Sequence, residues 1–426
     1  MATSQNPRME PRRMGLPDQD LFDLVQRQTF RFFWEGAHPH SGLARDRAGK
    51  DSDPADDLVC TGGSGFAFMA IIVAAERGWI ARSEAVDRVS QMLGFLSQAA
   101  PCFHGLFPHY MDGKSGAAIR FGRKDDGSDI VESSFLFQGL LCARQYFSAD
   151  NPAEKSIRDR ITWLWHDAEW NWHARDQRHV LTWHWSPNNG FSLDRDVRGW
   201  NECLITYVLA SASPTYPVGP ELYHEGFTQS RSFINRRRYY GHFLPLGPDF
   251  GGPLFFAHYS FCGLDPRGLK DAYASYFEQN VQHTLINYEH CVRNPNGHKG
   301  YGPFCWGLTA SDDPEGYAAH APDLDNGVIS PTAALSSFPY APEQAMRALR
   351  HFYETLGDRL WGRFGFVDAF SETHNWYASS YLAIDQGPIV IMMENYRSGL
   401  LWRLFMSDPD VRAGLERLGF TSPQIS

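Results

Sequence analysis

The feature that most constrains this chain is an alternation of two kinds of helical segment along its length. Segments with apolar residues on one face alternate with segments that are apolar on nearly every face. A helix that is apolar all round must be surrounded by other helices, so each such segment predicts an inner element with outer elements packed around it. Strand-like alternation of apolar and polar residues is scarce. The sequence therefore predicts an all-α protein.

The helical segments form about six consecutive pairs of an outer and an inner helix. In chain order the predicted helices are 18–35, 64–76, 83–98, 132–147, 153–169, 202–212, 218–232, 254–262, 267–292, 331–337, 342–356 and 388–406. Six such pairs predict an (α/α)6 barrel, in which the inner helices all begin at the same end.

The sequence predicts a single domain. Its Pro- and Gly-rich stretches, 213–220 and 294–303, are short enough to be loops within a domain. We expect a single catalytic barrel over residues 18–420, preceded by a flexible N-terminal segment, 1–17, and followed by a C-terminal tail, 421–426.

Composition excludes several classes of partner. The 39 Lys and Arg against 49 Asp and Glu give a net charge of -10, which repels nucleic acid and anionic lipid surfaces. The seven cysteines are scattered and never spaced as CxxC, so they indicate neither a zinc site nor a disulfide framework. No metal or other cofactor is expected. Aromatic residues make up 14% of the chain, and their faces suit sugar rings as well as a protein core.

The first residues lack the apolar core of a signal peptide, and the longest apolar run, FAFMAIIVAA, is too short to span a bilayer. As written, the sequence predicts a cytoplasmic protein without membrane contact. Removal of a leader would instead indicate the periplasm.

The densest acidic segment is KDDGSDIVESSFLFQGLL, in which Asp125, Asp129 and Glu132 are spaced by four and three residues. An equally good interpretation is a capping box, with Asp129 as the N-cap and Glu132 three residues later. The segment also contains the DDxxD pattern of terpene cyclases, but Gly127 argues against the helix that such a magnesium site requires.

A second candidate, Glu202, opens a predicted apolar helix beside Trp200 and Asn201. An acid in the first turn of a helix is also stabilised by the helix dipole. Trp183, His184 and Trp200 surround the segment with groups that bind sugars or raise a carboxyl pKa, as a general acid requires.

A third candidate, Asp385, precedes Pro388 at the start of the last apolar helix, where it is also a plausible cap. All three acidic sites therefore open apolar helices, and in a six-pair barrel they would share one cavity. Glycoside hydrolysis needs such a set, because one carboxylic acid protonates the leaving oxygen and one carboxylate activates water or attacks carbon.

Several long segments together resemble glycoside hydrolase family 144, the β-1,2-glucanases with a glucoamylase-like domain. They are LVQRQTFRFFWEGAHPHSGLARDR, KDDGSDIVESSFLFQGLL, LTWHWSPNNG, GWNECLITYVLA, GGPLFFAHYSFCGLDPRGL, WGLTASDDPEGYAAH and AIDQGPIVIMMENYRSGLLW. The resemblance covers about residues 20–420 and implies an (α/α)6 barrel that cleaves β-1,2-glucan or sophoro-oligosaccharides with inversion and without a metal.

The resemblance also implies roles for the acidic residues at Asp125, Asp129, Glu132, Glu202 and Asp385. We expect Glu202 to be the general acid and Asp385 the general base, with Asp129 and Glu132 holding the sugar or replacing one of them. The residues expected to bind substrate are Trp34, His109, Trp183, His184, Trp185, Trp200, Asn201, His258, Trp306 and Trp376.

Other functions remain open at the level of sequence. A β-1,2-glucosyltransferase or a hydrolase of another β-glucan would use the same barrel, because a fold does not fix the linkage that is cut. A non-catalytic sugar-binding protein would keep the aromatic cleft without turnover. A terpene-type cyclase would need Mg²⁺ and a mostly apolar pocket.

Overall fold

The computed structural model describes residues 12–51, 56–175, 178–229 and 233–425. Helices are its main elements, so the chain is helix-rich, although the short strands between the helices depart from the prediction of an all-α protein. In chain order they are α1 Asp18–Trp34, α2 Thr61–Glu76, α3 Arg82–Gln98, α4 Ile130–Tyr146, α5 Pro152–Asp167, α6 Leu204–Ala212, α7 Tyr276–Arg293, α8 Pro331–Leu335, α9 Pro342–Arg350, α10 Gly357–Leu360, α11 Ala383–Arg397, α12 Leu400–Ser407 and α13 Pro409–Arg417.

Short strands lie in the connections between helices. They are β1 Arg47–Gly49, β2 Leu58–Cys60, β3 Tyr110–Asp112, β4 Ala118–Ile119, β5 Ser128–Asp129, β6 His184–Trp185, β7 Ile234–Tyr239, β8 His242–Leu246, β9 Ala310–Asp313, β10 Gly316–Ala319, β11 Trp361–Gly362, β12 Gly365–Phe366, β13 Phe370–Ser371, β14 Trp376–Tyr377 and β15 Ser380–Leu382. Most pair with a strand near in sequence, as in β5–β6 and β9–β10, but β1 pairs antiparallel with β15.

The helices that are apolar on nearly every face are the buried ones. In α2 and α4 nearly every residue is buried, and α2 packs against both α4 and α11. The contact between α2 and α4 is close because Gly65 faces Gly139, and a Cβ at either position would overlap backbone atoms. The amphipathic helices α1, α3 and α5 bury one face against this group.

The predicted boundaries fail mainly in the second half. The segment 254–262 forms two short 3-10 turns, Leu254–Ala257 and Ser260–Cys262, rather than one helix. Within 218–232, the described residues contain only a π-helical turn, Leu222–Phe227. The predicted helix 388–406 is two helices, because Gly399 adopts a left-handed backbone with φ of 68° between α11 and α12.

The predicted helix starts also need correction near the acidic residues. Glu202 precedes α6, which begins at Leu204. Helix α11 begins at Ala383, so Asp385 lies in its first turn and Pro388 lies inside the helix. At this position the proline removes the intrahelical hydrogen bond that an N–H would donate to the Ile384 carbonyl.

The first and last described residues of the chain form hydrogen bonds with the rest of the fold. The Leu16 carbonyl accepts a hydrogen bond from Arg350 at 2.7 Å, and Thr421 exchanges backbone hydrogen bonds with Lys270. Residues 1–11, in the segment predicted to be flexible, and Ser426 lie outside the described residues. Within the described ranges, no helix is both long and apolar enough to cross a membrane.

Candidate active site

The start of α4 is built around Asp129, which is buried. Its Oδ1 accepts hydrogen bonds from the backbone N–H groups of Val131 and Glu132, both at 2.9 Å, so its predicted role as N-cap is confirmed. Its Oδ2 accepts from Trp183 Nε1 at 3.1 Å and lies 3.3 Å from His109 Nδ1. Burial alone would raise the pKa of Asp129, but the hydrogen bond and charge of His109 lower it.

Glu132 does not complete a capping box, because its side chain turns to a neighbouring helix. Its Oε2 accepts from the backbone N–H of Gly62 at 2.8 Å, and its Oε1 lies 4.0 Å from His109 Nε2. Burial and the charge of Asp129 raise the pKa of Glu132 to about 7. Burial would lower the pKa of His109, but Glu132 and Asp129 raise it to about 9. We call Asp129 and Glu132 the α4 carboxylates.

The loop before α4 is held to the segment that contains β6. His184 Nε2 lies 2.7 Å from Asp125 Oδ1, and Ser128 Oγ bonds to His173 Nε2 at 2.9 Å. Asp126 accepts a hydrogen bond from Asn188 at 2.8 Å and thereby anchors the WSPNNG turn. The aspartates of DDGSD thus lie in a loop and a cap rather than along a helix, which removes the basis of the magnesium interpretation.

Glu202 lies in the turn before α6 and is half-buried. Burial raises its pKa to about 7, and the charges of Glu132 and Asp129 act in the same direction. Its backbone carbonyl accepts a hydrogen bond from the Ser260 hydroxyl. Asn201 caps this turn by accepting from the backbone N–H of Cys203 at 2.9 Å. A half-buried carboxyl that stays protonated near neutral pH can donate a proton to a ligand.

Asp385 is almost fully buried at the start of α11. Its side chain is hydrogen bonded to Asp368, and its Oδ1 lies 3.4 Å from the Tyr259 hydroxyl. One of the two carboxyls must carry the proton between them, because two carboxylates are both acceptors. Burial and the charge of Asp368 raise the pKa of Asp385 well above its ordinary value. Burial and the charge of Asp312 raise the pKa of Asp368 to about 7. We call Asp368 and Asp385 the α11 pair.

Sequence reasoning missed the residues that surround the α11 pair. Asp368 Oδ2 accepts from the backbone N–H of Asp312 at 2.7 Å, and Asp312 Oδ1 pairs with Arg47 at 2.7 Å. Asp46, next to Arg47, accepts a hydrogen bond from the Tyr110 hydroxyl, and burial raises its pKa. Asp46 and Asp312 lie in the segments LARDR and TASDD that carried the family resemblance, which was the available signal.

Four of the aromatic candidates lie at the α4 carboxylates or beside them. Trp183 and His109 contact Asp129, and His184 contacts Asp125. Trp185 is half-buried and packs edge-on against His104, with ring centroids 5.0 Å apart.

The burial of Trp200, Trp306 and His258 argues against their prediction as substrate-binding residues, whereas for Trp34 and Trp376 it stays a prediction. Trp200 and Trp306 are buried in the core, and His258 is buried with Nε2 3.0 Å from the Ser337 hydroxyl. Trp34 lies between α1 and α3 with the Arg88 guanidinium 4.4 Å from its ring centroid. Trp376, on β14, is half-buried against the core, and we find no contact that joins it to these carboxyls in the described ranges.

No group of three or more His, Cys, Asp or Glu side chains arranged to hold a metal ion occurs among the described residues. The described part of the site is therefore a set of carboxyls, hydroxyls and aromatic rings, with His109 and Arg47 as its cations.

The family model described as "Putative glucoamylase" matches residues 194–409. The chain belongs to this glucoamylase-like family. The prediction that it resembles the β-1,2-glucanases of glycoside hydrolase family 144 is confirmed by the relatives of this family member.

Among them, a Parabacteroides distasonis protein named exo β-1,2-glucooligosaccharide sophorohydrolase (non-reducing end) is 44% identical over 424 residues, which cover 95% of this chain. The chain spans 58% of the length of that relative. The endo-β-1,2-glucanase from Chitinophaga pinensis, solved with sophorotriose and glucose, is 52% identical with a TM-score of 0.93, covering 96% of this chain and 100% of that one.

A more distant structure shows the same fold. The endo-β-1,2-glucanase from Talaromyces funiculosus, solved with β-1,2-glucan, is 11% identical with a TM-score of 0.65, covering 95% of this chain and 91% of that one. At this identity the similarity establishes the architecture alone.

Proposed function

We propose that the chain is a glycoside hydrolase that cleaves β-1,2-glucan or sophoro-oligosaccharides on an (α/α)6 barrel. The names of relatives that are 44% and 52% identical support this substrate class. The barrel is supported by the buried helices α2, α4 and α11, which pack side by side, and by the outer helices around them.

The observation that carries the proposal is the link between Glu202 and Asp385 through two consecutive residues. The Tyr259 hydroxyl reaches Asp385 Oδ1, and the next residue, Ser260, donates to the Glu202 carbonyl. The charges of both acids also act on the hydroxyl of Tyr259. The Asp385 carboxyl and the backbone of Glu202, from distant parts of the chain, therefore meet at one short turn, and both carboxyls have raised pKa values.

In the proposed reaction Glu202 is the general acid. Water attacks the anomeric carbon on the face opposite the leaving group, and the bond from that carbon to the glycosidic oxygen breaks. Glu202 gives its proton to the leaving oxygen, while Asp385 accepts a proton from the water. The α11 pair acts as the base in its singly ionised form, in which the shared proton rests on Asp368 and Asp385 accepts the proton of water. The product has the inverted anomeric configuration.

The α4 carboxylates have a different role in this proposal. Asp129 is occupied by two backbone N–H groups, Trp183 and His109, so it orients the wall of the site. Glu132 has one oxygen directed toward His109, and together these two side chains can hold hydroxyl groups of the reacting sugar.

The test is product analysis on defined glucans. Linear β-1,2-, β-1,3- and β-1,4-glucans are incubated with the protein, and products are followed by chromatography and by NMR of the anomeric protons at early times. We expect sophorose or short sophoro-oligosaccharides from β-1,2-glucan alone, appearing first as the α-anomer.

Other outcomes identify the alternatives. Products longer than the starting oligosaccharide would indicate a glucosyltransferase. Cleavage of the β-1,3- or β-1,4-glucan would assign another linkage, and binding without any product would indicate a sugar-binding protein.

A further inference from the structure

Phe121 is a large apolar side chain that remains 58% exposed next to the α4 carboxylates. It follows β4, and its backbone N–H donates to the Asp125 carbonyl at 3.1 Å. One face of its ring stacks on His109, with centroids 4.2 Å apart and an interplanar angle of 16°. The same imidazole contacts Asp129 and Glu132. Phe121 is therefore held rigidly beside these acids and presents its second face to solvent.

Tyr317 has the equivalent position beside the α11 pair and is 51% exposed. It lies directly opposite Asp312 in the β9–β10 hairpin, so both side chains project from the same face of the hairpin. Burial among the surrounding loops and the charges of Asp385 and Asp368 raise the pKa of Tyr317 well above its ordinary value. Tyr317 therefore lies on the hairpin whose Asp312 contacts Asp368, with about half of its side chain open to solvent.

Tyr110 connects these two aromatic residues. Its ring centroid lies 5.6 Å from that of Phe121, and its hydroxyl donates to Asp46. The charge of Tyr110 also acts on the Tyr317 hydroxyl. Phe121, Tyr110 and Tyr317 thus lie along the path from the α4 carboxylates to the α11 pair.

Exposed aromatic faces above carboxylates match the two surfaces of a pyranose ring. The C–H face of a sugar packs on the aromatic ring, while its hydroxyls donate to carboxylate oxygens. Resting on the proposed function, we infer that Phe121 and Tyr317 bind two successive glucosyl residues, one on each side of the bond that is cut. They take the role that the sequence had suggested for the buried Trp200 and Trp306.

The inference is tested with Phe121→Ala and Tyr317→Ala, measured on β-1,2-linked oligosaccharides. Each is expected to raise KM by roughly 2- to 12-fold, the range of one aromatic contact, with a smaller effect on kcat. Phe121→Tyr and Tyr317→Phe keep the stacking face and should restore KM to near the wild-type value. Because both side chains are more than half exposed, the alanine variants should unfold at the wild-type temperature.

Trp163→Ala is the matched control, since Trp163 is 55% exposed on the outer helix α5. We expect it to leave KM unchanged. Equal KM values for wild type and both alanine variants would overturn the inference, as would a loss of stability that accounts for their weaker binding.

Calorimetric binding of sophorotriose, laminaritriose and cellotriose separates this inference from the proposed function. If wild type does not hydrolyse β-1,2-glucan but binds one of these sugars, and both alanine variants bind it more weakly, the aromatic site stands and the proposed reaction fails. Absence of binding to all three sugars would overturn the aromatic site.

Discussion

The α4 carboxylates and the α11 pair are both buried acids at helix starts, but their surroundings compensate charge very differently. Asp129 receives two backbone N–H groups, an indole N–H and the cation of His109. Asp385 receives one long hydrogen bond from Tyr259, and its other contact is a second acid, Asp368. Apart from the proton that the pair shares, Asp385 Oδ2 and Asp368 Oδ1 have no donor among the described residues.

In the proposed mechanism, this difference in donors separates Asp129, which supports the fold, from Asp385, which reacts. Donors and a nearby cation keep Asp129 ionised, and it serves the fold as an N-cap. Without them, the α11 pair retains a proton that it can exchange. Under the proposed mechanism, burial alone therefore does not distinguish the reacting carboxyl, whereas burial without compensating donors does.

The largest expected effect is on turnover. Asp385→Asn should lower kcat by roughly 10²–10⁴-fold with little change in KM, because it removes the acceptor for the proton of water. Steady-state kinetics on sophoro-oligosaccharides measures this. Asp313→Asn is the matched control, since Asp313 lies on the same hairpin as Asp312 but bonds to Asn326 and should keep wild-type turnover. Near wild-type turnover of Asp385→Asn would move the base to the α4 carboxylates.

The next largest expected effect is on the pH dependence of kcat/KM. Glu202 must be protonated to act as the acid, and its pKa is raised to about 7. The α11 pair must be singly ionised to act as the base, and the pKa of Asp368 is also raised to about 7. Activity should therefore be greatest near pH 7 and fall by up to about tenfold per unit above it. In Glu202→Gln this alkaline decline should disappear together with most of the activity. A wild-type profile that stays flat to pH 9 would exclude Glu202 as the acid.

A smaller effect concerns stability at the α4 carboxylates. Asp129→Ala should lower the free energy of unfolding by about 1–3 kcal/mol at pH 7, because the cap and the partner of Trp183 are lost. Its pKa is lowered in the folded protein, so Asp129 stabilises the fold above its unfolded pKa, and this stabilisation is lost as the pH falls through the folded value. Denaturant unfolding at pH 7 measures the change, with Asp129→Asn expected to retain part of the cap. Equal stability of wild type and Asp129→Ala would contradict this role.

An effect on stability of similar size but opposite sign is expected at the α11 pair. The folded pKa of Asp368 is raised to about 7, so its contribution to stability is greatest below its unfolded pKa and is lost as the pH rises to about 7. Asp368→Asn can accept from the backbone N–H of Asp312 and donate to Asp385. It should therefore be more stable than wild type at pH 8 by on the order of 1–3 kcal/mol, with a smaller gain at pH 5. Destabilisation at both pH values would show that the two clusters do not differ in this way.

The parts of this molecule that sequence predicted are those fixed by local pattern. The starts of α2 and α4 and the cap at Asp129 follow from periodicity and from the residues at the helix start, and the structure places them close to the predicted positions. The core helices can also be predicted from sequence, because they are apolar on nearly every face.

The parts that sequence missed depend on contacts between distant segments. Asp312 and Asp368 lie in or beside short hairpins, and nothing in their local sequence indicates that the two acids meet. Nor does sequence distinguish Trp200, which is buried, from Phe121, which is exposed, because either aromatic residue suits a core or a sugar. Residue type alone favoured the tryptophans as the substrate-binding residues.

Strands β1 and β15 pair with each other although they lie far apart in the sequence. Arg47 pairs with Leu382, so the segments that carry Arg47 and Asp385 are brought together from near opposite ends of the chain. Contacts between such distant residues require the closure of a very long loop, which makes them late and entropically demanding events in folding. During synthesis, the α4 carboxylates emerge long before the α11 pair. The site is therefore completed only after the segment that carries Asp385 has been made.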